Sequence, residues 1–471
     1  MPVLLISTYD LGHQPFGLAS PAAWLRRAGF EVTCVDLSRD KLAADAVADA
    51  GLAAFYLPMH TATRLAIPVI ARLRALNPAL TIAAYGLYAP LNQALLREHG
   101  VSIVLGPESE SDLVAAAIAS LAPGTVASAF ARTEHQGELR RDLAVAASGR
   151  GDGRLARLQF IQPDRSGLPA LDRYASLQMP DGTRKVVGAT DATRGCKHRC
   201  RHCPIVPVYD GQFRVVPVDV VLADVRAQVA QGAAHITFGD PDFFNGPAHA
   251  RKLVEALHAE FASLTYDAII KVEHLLQHRE LLPLLARTGC LFVTSAVESV
   301  DDEVLAKLEK GHTRADFIAA AALCRDAGLT LVPTFVAFTP WTTIDGYVDL
   351  LDQVEELDLV HNVAPVQWGI RLLVTAQSRL LELPDVRELI GPFDRASLTF
   401  PWRHRDPRVD ALQAGVMNLI GVQTNRPRHE TMDRIRRLLA SAHPSIPAPK
   451  HPSTLPRPRT DIPYMNEPWY C

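Results

Sequence analysis

The chain has 471 residues, 48% of them hydrophobic and 21% charged, and a formal net charge of -3. This is ordinary globular composition, long enough for roughly two to four domains, and it excludes a disordered chain. The near-neutral balance gives no electrostatic reason to expect nucleic acid or an anionic membrane as partner, and no apolar run reaches the about 18 residues a membrane span needs.

From the N-terminus, Val3 to Thr8 is a short apolar run that reads as a buried strand; it lacks the basic flank and cleavage site of a leader. The turn-rich stretch Asp10 to Gly17 follows, then a helix over Ala19–Ala28 stopped by Gly29. Further strands are expected at 30–37, 51–58, 81–85 and 101–105, with helices at 62–76 and 111–121. Five strands separated by helical patterns predict a parallel sheet wound on both faces, an α/β unit over residues 1–125 whose ligands would meet the carboxyl ends of the strands. Residues 126–180 are polar and irregular and read as a linker with short packed pieces. A second alternating run, 181–398, has strands expected at 185–190, 235–239, 268–272, 292–296, 331–338 and 366–373, which predicts a partial (β/α)6 barrel with functional groups on the loops after its strands. Residues 399–443 read as a helical extension, with helices at 408–420 and 430–442. Residues 444–471 form a tail with eight prolines.

Seven cysteines are present, and three of them, Cys196, Cys200 and Cys203, fall within eight residues. An odd count in a long chain argues against a secreted disulfide framework and for a reducing, cytoplasmic setting with a metal or cluster site. The spacing C-x3-C-x2-C directly follows an expected strand. Three thiolates on one short loop can grip three irons of a cubane and leave the fourth open for a small molecule. Lys197, Arg199 and Arg201 interleave the cysteines and are expected to favour the thiolates. The alternative is a zinc-stabilised ligand-binding module without radical chemistry, its zinc held by the three thiolates with His198 or His202; zinc knots usually pair two such knuckles, and no second one is present. Cys290 and Cys324 sit in strand or helix patterns and read as core thiols, and His235 and His274 as ordinary polar residues.

With its three cysteines placed after the first strand of a (β/α) run, the chain resembles the radical S-adenosylmethionine (SAM) superfamily. That resemblance implies a [4Fe-4S] cluster on Cys196, Cys200 and Cys203, SAM as cofactor, an electron donor such as flavodoxin or ferredoxin, and a small-molecule substrate. His202 fills the place of the family's usual aromatic residue. Phe238-Gly239-Asp240-Pro241-Asp242 stands where the family binds the SAM amino group, with Asp240 and Asp242 as candidate carboxylates. Val297-Glu298-Ser299, followed by the run Val304–Thr313, resembles the fourth-strand element. Pro333 to Pro340, with Val336, resembles the fifth strand that lies against adenine.

A Rossmann-like sheet before such a core resembles the cobalamin-binding members. This makes cobalamin a candidate second cofactor, with Thr61, Thr63, Gly86 and Gly106 in the loops that would face it and methyl transfer or rearrangement as the chemistry. Gly106-Pro107-Glu108-Ser109-Glu110 departs from those members' Gly-Glu-Gly-Glu element, and Asp10, His13 and Gly17 carry each gap of the Asp-x-His-x-x-Gly ligand motif one residue too long. The ending Pro468-Trp469-Tyr470-Cys471 resembles a subfamily whose tails carry Cys-Sec-Ala-Glu-Pro or Cys-Cys-Ala-Glu-Pro. On that resemblance Cys471 is a redox or ligand candidate, and codons for Ala-Glu-Pro are expected beyond a UGA that follows it.

Overall fold

A computed structural model describes residues 2–121, 158–421, 426–442 and 460–466. The tail residue Cys471, residues 126–157 of the expected linker and most of the proline-rich segment lie outside the described residues.

The N-terminal unit is a five-stranded, all-parallel sheet in the order β2-β1-β3-β4-β5, built from β1 (Val3–Ser7), β2 (Val32–Asp36), β3 (Leu52–Tyr56), β4 (Thr81–Tyr85) and β5 (Ile103–Val104). All five residues of β1 are buried, as a strand covered by helices on both faces requires. The helices Phe16–Arg27 and Glu110–Leu121 pack on one side through Leu18, Trp24, Leu25, Leu113 and Val114. The helix His60–Leu76 covers the other through Ala66, Ile70 and Leu73.

The second unit is a seven-stranded sheet in the order β13-β12-β11-β10-β7-β6-β14. Five strands are parallel: β7 (Arg184–Thr190), β10 (His235–Phe238), β11 (Thr265–Ile269), β12 (Cys290–Glu298) and β13 (Thr330–Phe335). Beyond β7 the sheet continues with two antiparallel strands, β6 (Ser176–Gln178) and β14 (Tyr464–Met465), the latter supplied by the carboxyl-terminal segment. A separate two-stranded ribbon, β8 (Thr193–Gly195) and β9 (Phe213–Val215), brackets the cysteine loop.

One expectation changes. The sixth strand does not form: Pro365–Trp368 is a 3-10 turn, and only an isolated bridge joins Phe338 to Arg371. Side chains replace the ladder there. Gln367 Oε1 accepts the Phe335 backbone N–H at 2.9 Å, and the Tyr347 hydroxyl donates to the Trp368 carbonyl at 2.9 Å. The described part of the linker, 158–180, is packed structure. Asp164 N–H donates to the Ala19 carbonyl and Ala175 N–H to the Gly12 carbonyl, and β6 lies in the second sheet.

Candidate functional site

The cysteine loop leaves β7 at Thr190 and is steered by two devices. Gly195 holds φ +78, where a Cβ would stand 2.4 Å from the Tyr209 ring and 2.6 Å from the Gln212 carbonyl oxygen, so only glycine fits directly before Cys196. Asn245 clamps the turn, donating from Nδ2 to the Gly195 carbonyl at 3.1 Å and accepting the Lys197 N–H at 3.2 Å. On the far side, Arg201 N–H donates to the Leu308 carbonyl at 2.8 Å and Arg379 donates to the Arg199 carbonyl at 2.7 Å.

The three thiols are unbonded and neighbour one another electrostatically. Burial, with a smaller contribution from neighbouring cysteines, pushes the Cys196 thiol up to about 11 and the Cys203 thiol up to about 12. The counter-charge expected from Lys197, Arg199 and Arg201 comes from elsewhere. Arg199 pairs with Asp210 at 2.6 Å and Arg201 with Glu309, whereas Lys271 lowers Cys196 and Lys310 lowers Cys203. Neighbouring thiols that resist ionising alone give up their protons to a thiophilic cation, so this donor set fits an iron–sulfur cluster.

Around the loop, Glu298 sits between His202 Nε2 at 3.1 Å and Lys310 Nζ at 3.4 Å; against the cost of its burial, Lys310 and His202 hold its carboxyl down at about 2. Glu298 lies on β12 with φ +68, at the register shift where β12 meets β13. Asp240 is fully buried and braces the β7–β8 turn, accepting the Ala192 N–H at 2.9 Å and the Thr193 hydroxyl; burial, then Asp191, raises its carboxyl to about 7. Asp242 caps the short turn Phe243–Asn245 and meets His274 Nδ1 at 2.6 Å.

A cavity of about 470 Å3 lies between the carboxyl ends of the two sheets. Asp10, His13, Gly17, Tyr56, Tyr85 and Gly86 line it from the N-terminal unit, and Asp191, Gly239, Asp267, Phe292 and the stretch Val332–Thr334 from the second. Gly195 and Ile205 of the cysteine loop border it, and the carboxyl-terminal stretch 462–466 closes one side. Burial, then Asp191 and Asp36, raises Asp10 well above the ordinary carboxylate range; burial raises Asp191 to about 6 and lowers His13. Of the residues in the sequence motifs, Asp10, His13, Gly17, Gly86, Pro107, Ser109, Glu110 and Gly239 reach this cavity; Asp240, Asp242, Glu298, His202, Val336, Thr61, Thr63 and Gly106 do not line it. The Thr63 hydroxyl donates to the Met59 carbonyl in its own helix, and the loop 394–397 covers that helix end through Ala396 and Ser397. Gly86, at φ +103, is required by the Leu57 carbonyl oxygen 2.8 Å from where a Cβ would stand. Of the loops nominated for a corrinoid, the one after β4 faces the cavity at Gly86 and the one after β5 at Pro107, Ser109 and Glu110.

Neither imidazole of the loop joins the thiols: His202 is taken by Glu298, and His198 contacts His274 and Lys271. This disfavours the zinc-knuckle alternative. Cys290 and Cys324 are buried core thiols, as expected. His235 is also buried, between Thr265 and Asp267. Asn245 and Lys271 were missed, and they carry no local motif, because their contacts arise from loops meeting in space.

The family model described as Radical SAM superfamily matches residues 191–354. The bacteriochlorophyllide d C-12(1)-methyltransferase of Chlorobaculum tepidum is 28% identical over 126 residues, 26% of this chain and 27% of that protein. The tRNA-2-methylthio-N(6)-dimethylallyladenosine synthase of Methylococcus capsulatus is 25% identical over 210 residues, 40% of this chain and 43% of that protein. The chain thus spans less than half the length of these curated relatives. Its fold is similar to that of the cobalamin-dependent S-adenosylmethionine radical enzyme OxsB with aqua-cobalamin bound, with a TM-score of 0.62 at 14% identity over 90% of this chain and 67% of that one. Residues 191–354, which hold the cysteine loop and the strands β8 to β13, are thus a radical SAM domain.

Proposed function

We propose that this chain is a radical SAM enzyme in which Cys196, Cys200 and Cys203 hold a [4Fe-4S] cluster and the cavity between the two sheets takes a small-molecule substrate. The observation that carries the reading is the set of three free thiols that feel one another electrostatically on a loop whose backbone is clamped from both sides. Reduced by an external one-electron donor of the flavodoxin or ferredoxin kind, such a cluster supplies the electron that cleaves SAM to methionine and a 5′-deoxyadenosyl radical, which removes hydrogen from the substrate.

The residues of this chain bind and shield. Lys310, paired with Glu298, and Lys271 place positive charge beside the thiolates. The backbone around Gly239 faces the cavity and is the proposed contact for the SAM ammonium, because the Asp240 oxygens are already occupied by Ala192 and Thr193. The adenine wall falls to Val332–Thr334, just before Val336. Tyr56, Tyr85 and Phe292 exclude water from the chamber, while Asp10, Asp191 and Asp267 give it polar contacts. This reading does not require cobalamin.

The test is anaerobic reconstitution with iron and sulfide, followed by dithionite and SAM. About four irons per chain and release of 5′-deoxyadenosine are expected. Cys200→Ser should lose the cluster and reduce 5′-deoxyadenosine formation at least about a hundredfold, since the remaining ligands no longer hold the cubane. A wild-type protein that takes up one zinc and no iron would refute the proposal.

A further inference from the structure

Beside the cysteine loop, three donors from three separate elements converge. His198 comes from the loop itself, Asp242 from the turn after β10, and His274 from the helix Val272–Gln277. His274 is fully buried and Asp242 is 1% exposed. Asp242 Oδ2 and His274 Nδ1 lie 2.6 Å apart but without the alignment of a hydrogen bond, and neither has a hydrogen-bond partner elsewhere. His198 Nε2 stands 3.7 Å from the same carboxylate oxygen, and the two rings are 4.7 Å apart. A buried carboxylate oxygen and a buried imidazole nitrogen are each costly to leave unsatisfied. Side by side and misaligned, they are arranged as two ligands of one ion rather than as donor and acceptor.

We infer that His198, Asp242 and His274 form a binding site for a divalent transition-metal ion such as zinc, separate from the three thiols. Two imidazoles and one carboxylate are a donor set suited to Zn(II) or Fe(II), at about 2.0–2.2 Å from each ligand atom, which these side chains reach with small rotations. Lys271 is the opposing feature, with Nζ 3.0 Å from His198 Nδ1. Glu273 offsets its charge, lying 3.0 Å from Lys271 Nζ and 3.7 Å from His198 Nδ1. The ion joins the cysteine loop to the segments after β10 and β11, in addition to the Asn245 clamp.

The site is tested on the full chain with its cluster already reconstituted, so that the three thiols are occupied. Zinc is added, excess is removed by gel filtration, and iron and zinc are counted by mass spectrometry. About one zinc per chain beyond the cluster iron is expected. X-ray absorption at the zinc edge should show only nitrogen and oxygen neighbours with the imidazole pattern. His274→Gln and His198→Gln should each bind zinc at least tenfold more weakly while keeping their iron, which shows that the loop is still folded. No tightly held zinc in the wild-type holoprotein, sulfur in the zinc shell, or equal zinc retention by both variants would overturn the site and leave the four side chains as a hydrogen-bonded chain from Lys271 to Asp242. Because iron is counted in the same samples, failure of the zinc site stays distinguishable from failure of the cluster proposal.

Discussion

Glu298 shows how a short motif becomes a structural commitment. Its carboxylate is 7% exposed and faces Lys310, which is 3% exposed, so each ion is the other's main compensation for leaving water. Removing one partner leaves the other charged and unpaired, so Glu298→Gln should cost about 3 kcal/mol. Because Glu298 is held at about 2, below its ordinary 4.5, its contribution is complete above about 4.5 and is lost as pH falls through about 2. Urea-unfolding midpoints of wild type and variant should therefore differ most at neutral pH and approach each other in acid. A gap that widens in acid would mean that the carboxylate is not the stabilising group.

At the scale of elements, the apolar runs and helical periods of the sequence carry most of what forms. β1, β3 and β4 occupy the stretches their near-continuous hydrophobic residues mark, and the helices Pro407–Ile420 and Arg428–Ala442 fall within two residues of their periodic patterns. Other elements have no local signature. The ribbon β8–β9 has only three residues in each strand and exists because the cysteine loop must turn back on itself, and β14 is two residues long in a proline-rich stretch. Its strand character comes from a partner nearly 290 positions away, where Asn466 N–H donates to the Ser176 carbonyl and Ser176 N–H to the Asn466 side chain. The candidate site divides the same way. The three cysteines were legible from spacing, whereas Asn245, Lys271 and the pairing of Lys310 with Glu298 depend on loops from different strands meeting. A chain ending at residue 459 should keep its cluster loop, which Asn245, Leu308 and Arg379 clamp, but β6 loses its outer partner. Hydrogen exchange over residues 176–178 is expected to rise by at least tenfold, while residues 235–238 in the sheet centre stay protected. Unchanged protection of β6 would show that β14 adds nothing to the edge.

At the scale of the whole molecule, the two sheets face one cavity, so their relative placement matters as much as either fold. Arg165 is one of several polar ties between them, beside the ion pairs Arg194–Glu110 and Arg214–Glu108. Its guanidinium meets Asp224 Oδ1 at 2.7 Å and Oδ2 at 2.8 Å, Gln14 of the N-terminal unit at 2.9 Å, and the Ala189 carbonyl of β7 at 2.6 Å. Both ions are almost wholly buried, with side-chain exposures of 2% and 1%. One planar cation with a fixed fork of donors can satisfy all of these acceptors at once, which a lysine cannot do. Arg165→Met keeps the volume but strands Asp224, and should destabilise the chain by about 3–5 kcal/mol. Adding Asp224→Asn removes the stranded charge, so the double variant should be less destabilised than the sum of the singles, which a double-mutant cycle measures directly. The same loss should separate the units: Gln14 adjoins His13 on the cavity wall, so loosening it exposes the chamber to water. Limited proteolysis within 158–175 should then accelerate in Arg165→Met before either sheet unfolds. If the segment stays protected while stability falls, Arg165 supports the half-barrel alone and does not join it to the N-terminal sheet.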